Sequence, residues 1–138
     1  MKHFVLSIQP KWANLVRSGK KTIELRRRFP LLPVGSSAYL YETSPVSGIT
    51  ASLSIGRIDA LPIADLWNAC GEGSCVDRLQ FDDYFLKRDI GYGLHISRCV
   101  SLVRPVPLVE LRSELGFTAP QSWAYASQEL IDMIRMID

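Results

Sequence analysis

The sequence has no apolar run approaching the ~18 residues that a membrane-spanning helix needs. Its opening, Met1-Lys2-His3-Phe4-Val5-Leu6, meets Gln9, Pro10 and Lys11 too soon to form the apolar centre of a secretory signal. The expected compartment is therefore the cytosol, with no membrane partner, and the opening reads as a first strand. Cysteine is scarce. Cys70, Cys75 and Cys99 are odd in number and contain no C-x-x-C pair, which gives no disulfide framework. A chain of 138 residues needs none, since it buries roughly two thirds of its unfolded surface unaided. Histidine is scarcer still. Joining Cys70, Cys75, His95 and Cys99 gives C-x4-C and H-x3-C spacing. The first is loose for a structural zinc site, and the second pair lies along a strand rather than in a knuckle. Half-buried thiols are the simpler reading, and no metal or cofactor is expected. His3 and His95 lie in apolar strands and read as core or edge residues. There is no P-loop, no dinucleotide glycine fingerprint and no Ser-His-Asp order. No repeat, low-complexity tract or linker divides the chain, so residues 1–138 are expected to form one domain.

What the sequence does have is an uneven charge. Net charge is only +2, yet residues 1–28 hold Lys2, Lys11, Arg17, Lys20, Lys21, Arg26, Arg27 and Arg28 against Glu24 alone, a local charge of +7. The rest of the chain carries −5. This asymmetry points to a phosphate-bearing partner. A charged edge strand that resists aggregation is the alternative.

Periodicity and punctuation place the elements. A strand over His3–Ser7 leads to a helix over Pro10–Ser18, with Pro10 in its first turn, Trp12, Leu15 and Val16 as its apolar stripe and Gly19 as its cap. Residues 20–28 alternate: Ile23 and Leu25 share one face, Thr22, Glu24 and Arg26 the other. A turn over Phe29–Gly35 precedes strands at Ser37–Glu42 and Ile49–Ile58, joined by a loop over Ser44–Gly48. Helices are expected at Ile63–Ala69, Phe81–Lys87, Leu108–Leu115 and Trp123–Ile137, with a long strand at Leu94–Val103. This mixed order suits an α+β domain: a small mixed β-barrel of about five or six strands surrounded by short helices.

Gly19-Lys20-Lys21-Thr22-Ile23-Glu24-Leu25-Arg26 resembles the G-x-K-x-x-x-x-R signature of the ASCH domain. Ser7-Ile8-Gln9-Pro10-Lys11-Trp12-Ala13 is similar to that family's opening strand and helix. Tyr39-Leu40-Tyr41, Ser44-Pro45-Val46, Tyr84, Gly91 and the stretch from Leu102 to Leu111 resemble its later landmarks. Pro120-Gln121-Ser122-Trp123 resembles its closing motif. The likeness spans nearly the whole chain. It implies a PUA-like barrel with helices around a cleft and an association with RNA.

The octet is plausible as a site on physical grounds too. Gly19 lets the chain turn out of the helix, and Lys21, Glu24 and Arg26 then fall together. A lysine crowded by Arg26 and partly desolvated has a lowered pKa, which would suit a base or nucleophile. Arg26 offers a planar fork to a phosphate or base edge, with Glu24 orienting either cation. The alternative is that Glu24 simply pairs with Arg26 or Lys20 along an exposed strand. Lys20 and Thr22 complete the motif. Arg27 and Arg28 with Phe29 make a basic and aromatic patch fitted to a nucleic-acid backbone. Trp12, Tyr41, Tyr84 and Tyr92 either stack on a base or pack in the core, and Ser44 either donates to a ligand or serves a plain turn.

Two functions follow. One is a binding module that holds RNA, with one base, modified or not, in a cleft. The other is a small hydrolase. The resemblance implies two activities here, because a similar small ASCH family deacetylates N4-acetylcytidine with a lysine, a threonine and a glutamate, and ribonuclease activity is ascribed to other members. Lys21 matches that lysine, whereas Glu24 stands where the threonine belongs and Thr22 is displaced towards the lysine. Glu72, Asp82 and Asp83 are the acidic candidates from later in the chain. The expected partner is RNA or a nucleoside, and Lys21 and Glu24 carry any catalysis.

Overall fold

The computed structural model describes residues 2–31 and 35–138. Six strands and five helices follow in the order β1 (His3–Ile8), α1 (Pro10–Arg17), β2 (Ile23–Arg26), β3 (Ser36–Glu42), β4 (Gly48–Pro62), α2 (Ile63–Ser74), α3 (Arg78–Tyr84), β5 (Ile90–Pro107), α4 (Leu108–Leu115), β6 (Trp123–Tyr125) and α5 (Gln128–Ile137). The strands make one mixed sheet in the order β2-β5-β4-β3-β1-β6, curled into a half-barrel. β1 runs parallel to β3, and the other ladders are antiparallel.

The alternation of side chains along the strands divides the apolar residues between two faces. On β1 and β3, Phe4, Leu6, Ile8, Ala38 and Leu40 point into the central core with Ala13 and Val16 of α1. Their neighbours Val5, Tyr39 and Tyr41 point outward, where Leu111 of α4 and Leu130, Ile131 and Ile134 of α5 cover them. A third cluster joins Ile23 and Leu25 of β2 to Leu66 and Cys70 of α2 and to Phe81 and, just past α3, Phe85. The expected parity on β2 therefore holds, but Ile23 and Leu25 pack beneath the helix pair α2–α3 rather than into the central core.

Most elements lie where the sequence places them, and the departures have local causes. The C-terminal helix expected from Trp123 begins only at Gln128. Trp123–Tyr125 pair with β1 instead, and Ser127 caps the helix through Leu130 N at 3.2 Å. α3 starts three residues early because Asp77 and Gln80 form a reciprocal capping box. β5 continues through Pro105 to Pro107; β2 pairs only with its Tyr92–His95 stretch, so the missing N–H of Pro105 interrupts no second ladder. Of the turn expected over Phe29–Gly35, residues 32–34 lie outside the described residues. Among the described residues, no helix is long and apolar enough to cross a membrane.

Candidate functional site

The turn after α1 delivers Lys21. Gly19 adopts φ +83°, a conformation that L side chains resist, and Lys21 N then bonds back to Leu15 O at 3.0 Å. The Lys21 side chain runs inward and is 2% exposed. Its ammonium donates to Ser74 O, the last residue of α2, at 2.6 Å. A helix C-terminus offers unpaired carbonyls and a partial negative charge, so a cation is well placed there. Glu24 stands between the two motif cations. Its Oε1 lies 3.4 Å from Lys21 Nζ, and its Oε2 accepts from Arg26 Nη2 at 2.5 Å.

Arg26 reaches across the open side of the half-barrel. Nη1 donates to Ser122 O at 2.9 Å and Ser122 Oγ at 3.0 Å, and Nη2 to Ser7 O at 3.0 Å. Its Nε is buried with no protein partner. Both terminal nitrogens are thus occupied by protein, which corrects the picture of a fork held free for a ligand. Two cations and one carboxylate share a shielded position and leave one net positive charge.

These groups form the floor of a cavity of about 610 Å³. Its walls include Ser7, Gln9 and Trp12 from the β1–α1 stretch, Gln80, Asp83 and Tyr84 from α3, and Thr43, Gln121 and Ser122 from the segments after β3 and before β6. The Trp12 ring centroid lies 5.4 Å from Lys21 Nζ. At the mouth, Arg27 lies 4.2 Å over the Tyr84 ring and donates from Nε to Tyr84 O at 2.7 Å. Burial raises the Tyr84 phenol above its ordinary value against the pull of Arg26 and Arg27.

Of the residues singled out from the sequence, the cavity brings together Trp12, Lys21, Glu24, Arg26, Arg27, Asp83 and Tyr84. It does not bring in Lys20, Thr22, Arg28, Tyr41 or Ser44. Lys20, Thr22 and Arg28 are exposed outside its walls, and Thr22 Oγ1 turns towards Gly73. Tyr41 is 3% exposed and packs on the outer face, with Phe117 at 6.0 Å. Ser44 is an exposed residue beside a cis peptide to Pro45, while its neighbour Thr43 takes the wall position. Of the later acids, Asp83 reaches the cavity, Asp82 pairs with Arg78 at 2.9 Å and Glu72 lies elsewhere. The basic segment is also less available than its composition implies, because Arg17 pairs with Glu42, and Lys21 and Arg26 pair with Glu24.

The chain matches the model of the ASCH domain over residues 6–96. It belongs to the ASCH domain family. This ASCH domain is 30% identical over 129 residues to an ASCH domain-containing ribonuclease of Zymomonas mobilis, an alignment covering 93% of this chain and 86% of that one. The crystal structure of ASCH from Zymomonas mobilis superimposes with a TM-score of 0.91 at 27% identity, over 99% of this chain and 95% of that one. Human THYN1, solved in complex with DNA containing 5-methylcytosine, shares the fold with a TM-score of 0.61 at 14% identity, over 100% and 98% of the two chains.

Sequence reasoning did not single out Ser7, Gln9, Gln80, Gln121 and Ser122 as wall residues of the ASCH cavity. A signal existed for most of them. Ser7-Ile8-Gln9 and Pro120-Gln121-Ser122-Trp123 are the stretches that carry the resemblance at the two ends of the chain, and the fold lays them side by side through Ser7 N and Ser122 O at 3.0 Å.

Proposed function

We propose that this ASCH domain binds single-stranded RNA and admits one nucleotide into the cavity above Lys21, Glu24 and Arg26. The observation that carries the reading is the cavity itself. Its volume of about 610 Å³ suits a small ligand, and its floor holds a buried donor, Arg26 Nε, without a protein partner. The net positive floor favours an anionic or electron-rich guest. Gln9 and Gln121 each offer a donor and an acceptor to base edges, Trp12 supplies an aromatic wall, and Arg27 on Tyr84 meets the backbone at the mouth. The Zymomonas mobilis relative supports an RNA ligand, since it is named a ribonuclease.

That name also favours a second reading, cleavage of the bound strand. Glu24 and Lys21 are then the groups that handle protons at the reacting nucleotide, with Asp83 and Ser122 within the same walls. Deacetylation of N4-acetylcytidine is the weaker form of this reading, because Glu24 occupies the threonine position.

Fluorescence anisotropy with labelled single-stranded RNA, for wild type, Gln121→Ala and Arg27→Ala, tests the binding. Both substitutions are at exposed positions and should weaken binding by about tenfold while leaving the thermal melt unchanged. Equal affinity in all three proteins would place RNA outside the cavity. Product analysis on the same RNA and on N4-acetylcytidine separates cleavage, deacetylation and binding alone.

A further inference from the structure

Away from the cavity, Asp59 on β4, Cys70 on α2 and His95 on β5 converge, with one ligand atom from each within 4.8 Å of the others. His95 Nε2 stands 2.7 Å from Asp59 Oδ2, and the Cys70 thiol donates to that same oxygen across 3.7 Å. The β4–β5 ladder sets the first contact by pairing Asp59 with Gly93 and Arg57 with His95, so Asp59 and His95 are diagonal neighbours. Gly93 permits the second. A Cβ at that position would lie 2.7 Å from Cys70 Sγ, so only glycine lets α2 bring the thiol down to the sheet. Cys70 is fully buried, whereas the side chains of Asp59 and His95 are 21% and 24% exposed. The cluster is closed on its sulfur side and open to solvent on the other.

We propose that Asp59, Cys70 and His95 form a zinc-type site with one coordination position left to water. Tetrahedral zinc, with a metal–sulfur bond of about 2.3 Å and bonds to oxygen and nitrogen of about 2.0 Å, sets the sulfur–oxygen edge near 3.5 Å and the nitrogen–oxygen edge near 3.3 Å. The observed sulfur–oxygen and nitrogen–oxygen edges are 3.7 and 2.7 Å, and the sulfur–nitrogen edge lies within 4.8 Å. The sulfur–oxygen edge is already close to its target, and the partly exposed imidazole needs to move off the carboxylate by about half an ångström and to within about 3.5 Å of the sulfur. One thiolate, one imidazole and one carboxylate select zinc or cobalt over magnesium and calcium, which take oxygen donors. Arg57 Nε lies 3.5 Å from Asp59 Oδ1, the oxygen not used, and so orients the carboxylate without competing for the ion. On binding, the Cys70 S–H bond breaks, its proton goes to solvent, and the sulfur lone pair forms the bond to the ion. Cys75 and Cys99, which the linear spacing couples to Cys70 and His95 respectively, have no place here. Cys75 Sγ faces Lys20 O at 3.3 Å, and Cys99 packs against the central core.

Titrating the chelator-stripped full chain with Co²⁺ and then Zn²⁺ tests the site. Wild type should show a near-ultraviolet thiolate-to-cobalt charge-transfer band with the strong visible bands of four-coordinate cobalt, both erased by Zn²⁺. Zn²⁺ alone should raise the melting temperature. Cys70→Ser should lose the charge-transfer band, and Asp59→Asn and His95→Gln should each weaken cobalt binding by at least about tenfold. Cys75→Ser and Cys99→Ser should behave as wild type. A wild-type protein with no charge-transfer band at saturating Co²⁺, or a band that survives Cys70→Ser, overturns the proposal.

Discussion

Arg26 on β2 donates to Ser122 O at 2.9 Å, immediately before β6, and so joins the two strands at opposite ends of the sheet. Among the described residues no ladder runs between β2 and β6, so this side chain spans the seam that backbone pairing leaves open. The residue that a motif marks for ligand recognition is also a clasp of the fold.

The first prediction concerns stability. If Glu24 and Arg26 lay on a plain ligand-facing surface, Arg26→Ala would cost far less than Leu25→Ala. The structure reverses that expectation. Arg26→Ala removes four hydrogen bonds and leaves the buried Glu24 with one fewer cation, so it should cost on the order of 3–5 kcal/mol. Leu25→Ala, beneath α2 and α3, should cost on the order of 2–4 kcal/mol. Urea unfolding of both variants measures the ranking, and a cost under about 1 kcal/mol for Arg26→Ala would mean that the seam does not depend on it.

Glu24→Gln separates affinity from chemistry. The amide keeps an oxygen for Arg26 but removes the negative charge between two cations, so the cavity becomes more positive. RNA should bind at least as tightly as to wild type, and any cleavage should fall by about 10²-fold or more if Glu24 moves a proton. Unchanged turnover would leave Glu24 as an anchor for Lys21 and Arg26.

Salt reports on the backbone contacts. Each phosphate neutralised on a single strand contributes about −0.7 to the slope of log K against log salt. Arg27→Ala and Arg28→Ala together should therefore flatten the slope by roughly one unit or more, because both residues are exposed, Arg27 on the cavity wall and Arg28 next to it in the chain. A slope identical to that of wild type would place the phosphates elsewhere.

The three thiols should differ in reactivity. Burial, reinforced by the charge of Asp59 and the hydrogen bond to it, pushes Cys70 from 9.0 up to about 11. The thiol form is therefore the one the fold favours. Its contribution to stability is present in full below pH 9 and is lost as pH rises towards 11. In the metal-free protein at pH 8, iodoacetamide followed by peptide mass spectrometry should label partly exposed Cys75 well before Cys70. Equal labelling would show that α2 opens readily from the sheet.

How far the sequence could be read depends on the range of the interactions involved. Local signals served well. Pro10 and Gly19 bracket α1, the alternation of Ile23 and Leu25 against Glu24 and Arg26 survives in β2, and α4 runs from Leu108 to Leu115 as punctuated. Trp123–Tyr125 misled because nothing local shows that Trp123 pairs with Leu6, more than a hundred residues away. The octet identified Lys21, Glu24 and Arg26 and the pairing of Glu24 with a motif cation, but not their partners from the rest of the chain. Ser74, Ser122 and Ser7 contribute mainly backbone carbonyls, which leave no mark in residue identity. Tyr41 and Ser44 illustrate the same limit, since a one-residue change of face or position decides between the cavity and the outer core. Asp59 carries no motif at all, and only the β4–β5 register brings it to His95.

The most direct measurement for the central claim is an amide chemical-shift titration of the ¹⁵N-labelled domain with a short single-stranded RNA. The cavity account predicts the largest shifts at Gln9, Lys21, Thr43, Gln80, Gln121 and Ser122, together with the Trp12 indole N–H and the Arg26 Nε–H. Shifts confined to α4, α5 and the outer face of β3, with these signals unmoved at saturation, would contradict it.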